Sequence, residues 1–245
     1  MSVSYKCRNE NEEMKYAILA AGHGSRLVQE GETSPKPLIQ VGGESLIDRL
    51  LRVFMTNDAT EIAVICNPQM TAVAAYLETI QKAGRIPLRL VVRSTPSSMH
   101  SLWELRRCLD EAPFILTTVD TIFQEQAFAA YVQAFRQMTS DGLMGVTDYI
   151  DDERPLYVST DAALRITDFT DTSDRPHYIS AGIYGLTPRC FETLGRCIER
   201  GEQRMRNFQR ALIADGFRLQ AWPFSKVFDI DHVSDIQKAE QFLSV

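Results

Sequence analysis

Two glycines, an arginine and a lysine stand close together near the start of this 245-residue chain, as Gly22-His23-Gly24-Ser25-Arg26 and, ten residues beyond Arg26, Pro35-Lys36-Pro37. Glycines let a backbone approach a ligand closely and leave its amide N–H groups free to point at an anion. Arg26 adds a cation in a fork that matches phosphate oxygens. Lys36 is a second cation, held between two residues of locked φ. The short apolar run Tyr16–Ala21 precedes the loop and reads as a buried strand. A strand, an amide-rich loop and two cations make a cradle for a polyphosphate, and so a nucleotide site. A P-loop is excluded because no Lys-Ser or Lys-Thr follows these glycines, and Leu27 stands where a dinucleotide fingerprint would need a third glycine.

Three carboxylates and a run of hydroxyls add to the set. Asp120 follows the apolar run Phe114–Val119 directly, which puts it at the carboxyl edge of a strand. Asp229-Ile230-Asp231 alternate, so as a strand they present both acids to one side, about 7 Å apart. Ser94-Thr95-Pro96-Ser97-Ser98-Met99-His100-Ser101 join a strand to a helix. A plainer role competes at some of these positions: Asp120, Asp231 and Ser234 are all suited to cap the helix that follows them, and His100 to sit on a helix surface.

The elements that must position these groups alternate regularly. Apolar spacing predicts strands over Tyr16–Ala21, Glu61–Cys66, Leu88–Val92 and Pro113–Val119, and helices over Ser45–Phe54, Gln69–Gln81, Ser98–Leu109 and Gln124–Met138, with a last helix from Ser234. Strands alternating with helices indicate βαβ units and a mainly parallel sheet, with the ligand crevice at the carboxyl ends of the strands. Residues 1–14 are polar and read as a loose extension. Composition fits one globular domain: 44% of residues are hydrophobic and 24% charged, with a net charge of −6. That acidic balance argues against a nucleic-acid partner, and no apolar run suggests a membrane span or a secretory signal. Five cysteines without a CxxC motif suit reduced thiols and a cytoplasmic location. Nothing in the sequence excludes a homo-oligomer.

The segment Leu19-Ala20-Ala21-Gly22-His23-Gly24-Ser25-Arg26-Leu27, continued by Pro35-Lys36-Pro37-Leu38, Gly43, Leu46 and Ile47, resembles the signature of the nucleotidyltransferase (sugar-nucleotide pyrophosphorylase) superfamily. The resemblance implies a single-domain, Rossmann-like α/β fold with a mainly parallel mixed sheet flanked by helices. It divides into a nucleotide-binding half over residues 15–140 and an acceptor-binding half over 141–245. It implies a Mg²⁺-dependent transfer of a nucleotidyl group from an NTP, with CTP or UTP favoured, to a phosphorylated small molecule. A sugar 1-phosphate is the first expectation. A phosphorylated alcohol such as phosphocholine or inositol phosphate is the alternative, and a non-catalytic nucleotide sensor is an alternative of another class.

By the same resemblance Arg26 and Lys36 are catalytic, and Leu19, Ala20, Ala21, Gly22, Gly24, Ser25, Ser98 and Ser101 line the nucleotide. Asp120 and Asp231 bind Mg²⁺, with Asp229 an outer partner or alternative ligand. Gly182 and Tyr184, in His177–Leu186, line the acceptor pocket. One departure stands out. Hexose-phosphate enzymes of this family carry a Glu-Lys-Pro segment whose lysine neutralises the acceptor phosphate, and here residues 168–171 read Asp-Phe-Thr-Asp. Arg165, Arg175 and Lys226 are the substitutes the sequence offers.

Overall fold

The computed structural model describes residues 13–151, 153–174 and 177–244. Cys7, Arg175 and all but the last two residues of the expected N-terminal extension therefore lie outside the described residues. The first half runs β1 (Lys15–Ala20), α1 (Ser25–Gln29), a single 3₁₀ turn at Lys36–Leu38, β2 (Gln40–Val41), β3 (Glu44–Ser45) and α2 (Leu46–Thr56). It continues through β4 (Glu61–Cys66), α3 (Thr71–Ala83), β5 (Leu88–Val92), α4 (Ser98–Leu109), β6 (Phe114–Thr118), β7 (Thr121–Ile122) and α5 (Glu125–Gln137). The second half holds β8 (Gly142–Thr147), β9 (Tyr157–Thr160), β10 (Ile166–Thr170), β11 (Tyr178–Leu186), α6 (Cys190–Glu199) and α7 (Met205–Ala214). It ends with β12 (Leu219–Phe224), β13 (Phe228–Asp229) and α8 (Val233–Leu243). The strands and helices expected from the apolar pattern all form, within a few residues at each end.

One nine-stranded mixed sheet carries the fold. β5, β4, β1 and β6 lie side by side and parallel. The long strand β11 then runs antiparallel to β6 and carries β8 on its other edge, while β9 pairs with the first residues of β11 on the edge that β6 takes further along; β12 is parallel to β8 and β10 antiparallel to β9. The alternation of β1 divides the core. Tyr16, Ile18 and Ala20 face one apolar cluster with Phe54 of α2 and Phe128 of α5, while Ala17 and Leu19 face a second with Met99, Leu102 and Leu105 of α4. Tyr16 and Phe54 stack at 4.4 Å between ring centroids, and Phe123 and Phe128 at 4.6 Å, offset pairs that add to plain burial. Met14, counted with the extension by its neighbours' polarity, is buried in this core and its carbonyl accepts from the Thr60 N–H at 3.0 Å. Among the described residues no helix is long and apolar enough to cross a membrane. Cys66, Cys108, Cys190 and Cys197 are free thiols, and burial pushes those of Cys66 and Cys197 up to about 11.

Gly185 on β11 tests how closely helix and sheet are fitted. A Cβ built there would stand 2.6 Å from the Phe135 ring of α5. Gly185→Ala is expected to destabilise the fold by about 1–3 kcal/mol through overpacking, which at this size is a fall of several degrees in Tm. Thermal unfolding checks it; an unchanged Tm means that Phe135 has room to swing aside.

Candidate functional site

The parallel strands β1 and β6 are neighbours, so their carboxyl ends bring the glycine loop and Asp120 to the same edge of the sheet. The Val119 N–H donates to the Leu19 carbonyl at 3.1 Å and fixes that juxtaposition. Gly24 lies in the left-handed region at φ 59°, and a Cβ there would come within 3.2 Å of Lys36 Cβ. The glycine thus serves two needs, a turn into α1 and room for the Lys36 side chain to lie against the loop. A Cβ at Gly22 would meet no protein atom, so its absence opens the cavity itself.

That cavity, of about 280 Å³, is walled on one side by Leu19, Ala21, Gly22, Gly24 and Lys36, and on the other by Ser98, Ser101 and Asp120. Eight expected residues from four separate segments therefore meet around one space. Of the residues expected around the nucleotide, three do not share it. Ala20 is fully buried on the core face of β1, Ser25 opens α1, and Arg26 faces a neighbouring cavity lined also by Asp229 and Asp231. Ser101 is buried, and its hydroxyl is 2.6 Å from that of Thr95, a wall residue the sequence reading passed over although it lies in the hydroxyl run. His100 bonds the Ser97 hydroxyl through Nδ1 and does not line the cavity.

The carboxylates converge by a short two-stranded ribbon. β13 pairs antiparallel with β7, which sets Asp229 opposite Thr121, and the Ile230 N–H donates to the Asp120 carbonyl at 3.2 Å. The strand expected through Asp231 stops at Asp229. Asp235 accepts the N–H groups of Asp231 and His232 at 3.1 and 2.8 Å, and this turns the chain into α8 at Val233. Asp231 is thereby released from the ladder to meet the cations. Its carboxylate accepts from Lys36 Nζ at 3.0 Å and from Arg26 Nη1 at 2.9 Å. The Lys36 ammonium is also ion-paired with Asp120. The capping alternatives do not hold: α5 begins at Glu125 after Gln124, well beyond Asp120, and His232 rather than Asp231 or Ser234 precedes α8.

Electrostatics make the centre a strong field for cations. Burial by itself would lower the Lys36 pKa, but the Asp120 and Asp231 carboxylates outweigh it and raise it well above its ordinary value. Asp229 opens onto the cleft, yet crowding by protein and the nearby Asp120 carboxylate raise its pKa, up to about 8. Like charges held this close favour a shared counter-ion. Mg²⁺ is satisfied by one or two carboxylates together with phosphate oxygens and water, so this donor set fits it. Among the described residues no three of His, Cys, Asp and Glu form a ready all-protein metal site, and Mg²⁺ does not require one.

Two residues that carry no sequence signal complete the frame. Glu30, just past α1, accepts from the Val233 N–H at 2.8 Å and sits 2.5 Å from His232 Nδ1, tying the loop side of the site to the start of α8. This hydrogen bond raises the His232 pKa. Glu153 pairs with Arg26 at 3.3 Å from the far side of the cleft.

Gly182 and Tyr184, expected to line an acceptor pocket, share one cavity. Gly182 has φ 71° where β11 breaks its pairing with β8, and it lines a cavity of about 210 Å³ together with Tyr184. Ser98 and Thr118 line this cavity and the glycine-loop cavity alike, so the two spaces meet at those side chains. Two of the offered substitutes for the missing lysine, Arg165 and Lys226, do not line this cavity. Arg165 pairs with Asp161 at 2.7 Å in the β9–β10 turn, and the Lys226 ammonium rests 4.3 Å from the centre of the Tyr149 ring.

The nucleotidyl transferase family model matches residues 15–244. The UTP–glucose-1-phosphate uridylyltransferase of Haloferax volcanii is 24% identical over 243 residues, 94% of this chain and 96% of that protein. The bifunctional IPC transferase and DIPP synthase of Rubrobacter xylanophilus is 25% identical over 239 residues; the match takes in 93% of this chain but only 51% of that protein, about half its length. Among solved structures, the inositol-1-phosphate CTP transferase from T. maritima shares the fold, with a TM-score of 0.77 at 17% identity over 96% of this chain and 99% of that one.

Proposed function

Because this chain belongs to the nucleotidyl transferase family, we propose that it joins the α-phosphate of an NTP to a phosphorylated small molecule and releases pyrophosphate. The observation that carries the reading is the buried Lys36 ammonium held between Asp120 and Asp231 on the wall of the glycine-loop cavity. An acceptor phosphate oxygen is already a nucleophile. It forms a bond to the α-phosphorus, the bond from that phosphorus to the bridging oxygen breaks, and the electron pair leaves with pyrophosphate. No general base is needed, so the work lies in positioning two anions and stabilising crowded charge.

Lys36 stands where charge grows on the α-phosphate. The loop amides and Arg26 take the β- and γ-phosphates. Arg26 now spends its donors on Asp231 and Glu153, both of them largely exposed pairs. Such pairs are worth roughly 0–1 kcal/mol each, so a triphosphate displaces them at little cost. Asp120 and Asp231, with Asp229 beside them, are the residues that would hold Mg²⁺, which when bound supplies Lewis-acid charge to the phosphates. Ser98 and Thr118, shared by the two cavities, mark where acceptor and nucleotide meet.

The relatives named above act, by name, on glucose 1-phosphate with UTP and on inositol 1-phosphate with CTP; this supports a pyrimidine nucleotide and a sugar or polyol phosphate here. The test is a matrix of the four NTPs against glucose 1-phosphate, inositol 1-phosphate and phosphocholine, read by pyrophosphate release. Release with CTP or UTP and one of the first two acceptors is the expected result. Nucleotide binding without release in any pair would overturn it in favour of a sensor.

A further inference from the structure

We infer that Arg204 and Arg206, at the start of α7, hold the acceptor's phosphate in place of the lysine that residues 168–171 lack. This rests on the proposed function, in that the cavity beside the nucleotide site is taken to receive the acceptor. The walls of that cavity carry three guanidinium groups, Arg154, Arg204 and Arg206, against one carboxylate, Asp229. A surplus of guanidinium around a small open cavity selects an anion, and guanidinium binds phosphate through paired N–H donors.

The local packing explains why the charge moved. Phe169 is 2% exposed and belongs to the core, so this stretch of β10 directs an apolar side chain inward. Asp171, just past β10, is instead used to place arginines: it is ion-paired with Arg206 and, at 2.8 Å, with Arg210. Arg206 also donates through Nη2 to the Arg154 carbonyl at 2.9 Å. Its guanidinium is therefore fixed before any ligand arrives, which lowers the entropy cost of binding. Arg204 is exposed at the cavity mouth and makes no ion pair among the described residues. One carboxylate shared by Arg206 and Arg210 leaves positive charge over, and the unpaired Arg204 adds to it. A phosphate dianion answers that surplus. A trimethylammonium group would sit among guanidiniums, so the acceptor's body is neutral, as in a sugar or polyol phosphate.

The decisive variant is Arg204→Gln, because the side chain is exposed and among the described residues its removal breaks no ion pair. With the NTP saturating, its KM for glucose 1-phosphate or inositol 1-phosphate is expected to rise about tenfold or more, the scale of a lost charge-assisted hydrogen bond. The KM for the NTP and the Tm stay at their wild-type values. A second measurement needs no turnover: calorimetric titration of inorganic phosphate into Arg26→Ala protein, with and without Arg204→Gln. Phosphate binding that survives Arg26→Ala and weakens about tenfold on adding Arg204→Gln supports the assignment. Unchanged acceptor KM or unchanged phosphate binding in the Arg204 variant overturns it, as does phosphocholine proving the best acceptor. Absence of pyrophosphate release from the wild type would strike the proposed function instead, while the phosphate titration still decides the role of Arg204.

Discussion

Lys36→Ala is expected to leave a folded protein whose turnover falls by roughly two or more decades, the scale seen when a preorganised charge is removed from a developing anion. The side chain is 8% exposed and its ammonium bridges Asp120 and Asp231, which arrive from the end of β6 and the approach to α8. A cation so placed gains little from a ground-state triphosphate, whose outer phosphates already find Arg26 and the loop amides. Its advantage comes when the α-phosphorus is crowded by two anions. The loss should therefore appear in kcat, with the KM for the NTP much less affected. Lys36→Met keeps most of the packing against Gly24 and should lose as much turnover, which separates charge from volume. The same variants should need less Mg²⁺, because Asp120 and Asp231 lose the ammonium that now neutralises them. Steady-state kinetics across a Mg²⁺ series reads both effects. A kcat near wild type would remove Lys36 from the reaction.

Much of this site was legible because its parts are local. The glycine loop, the Pro-Lys-Pro lysine and Asp120 each stand directly after or close to an apolar run, and a parallel sheet leaves the ends of such runs on one edge. The strand expected through Asp231 failed for an equally local reason: Asp235 captures two backbone N–H groups and starts the helix early. Nothing in the sequence pattern marked Glu30 or Glu153, since their roles depend on where α8 and the segment after β8 cross the cleft. The arginines of α7 were hidden for the same cause. They stand outside every element the apolar pattern predicts, and only the packing of α7 against β10 brings them beside Gly182 and Tyr184. Resemblance pointed to the missing lysine, but which cations line that cavity is set by tertiary packing.

The second large effect concerns the carboxylates. Asp120→Asn keeps the shape of the side chain and leaves the backbone carbonyl free to accept from Ile230, so Tm should change little. Because α5 begins well after Asp120, the substitution disturbs no helix cap. Turnover should nonetheless fall by two or more decades through loss of the negative charge that would hold Mg²⁺. Asp231 and Asp229 then separate by their contacts. Asp231 meets both Arg26 and Lys36, the two groups assigned to the nucleotide's phosphates, whereas Asp229 lies opposite Thr121 and borders the acceptor cavity. Asp231→Ala is expected to raise the Mg²⁺ concentration for half-maximal rate sharply and to lower kcat, with Asp229→Ala milder in both. Binding of Mn²⁺ to the nucleotide complex, followed by its electron paramagnetic resonance signal, reports on the ion without turnover and should weaken in the same order. A larger loss in Asp229→Ala, in rate and in Mn²⁺ binding together, would place the metal two residues earlier, against the acceptor side of the ribbon.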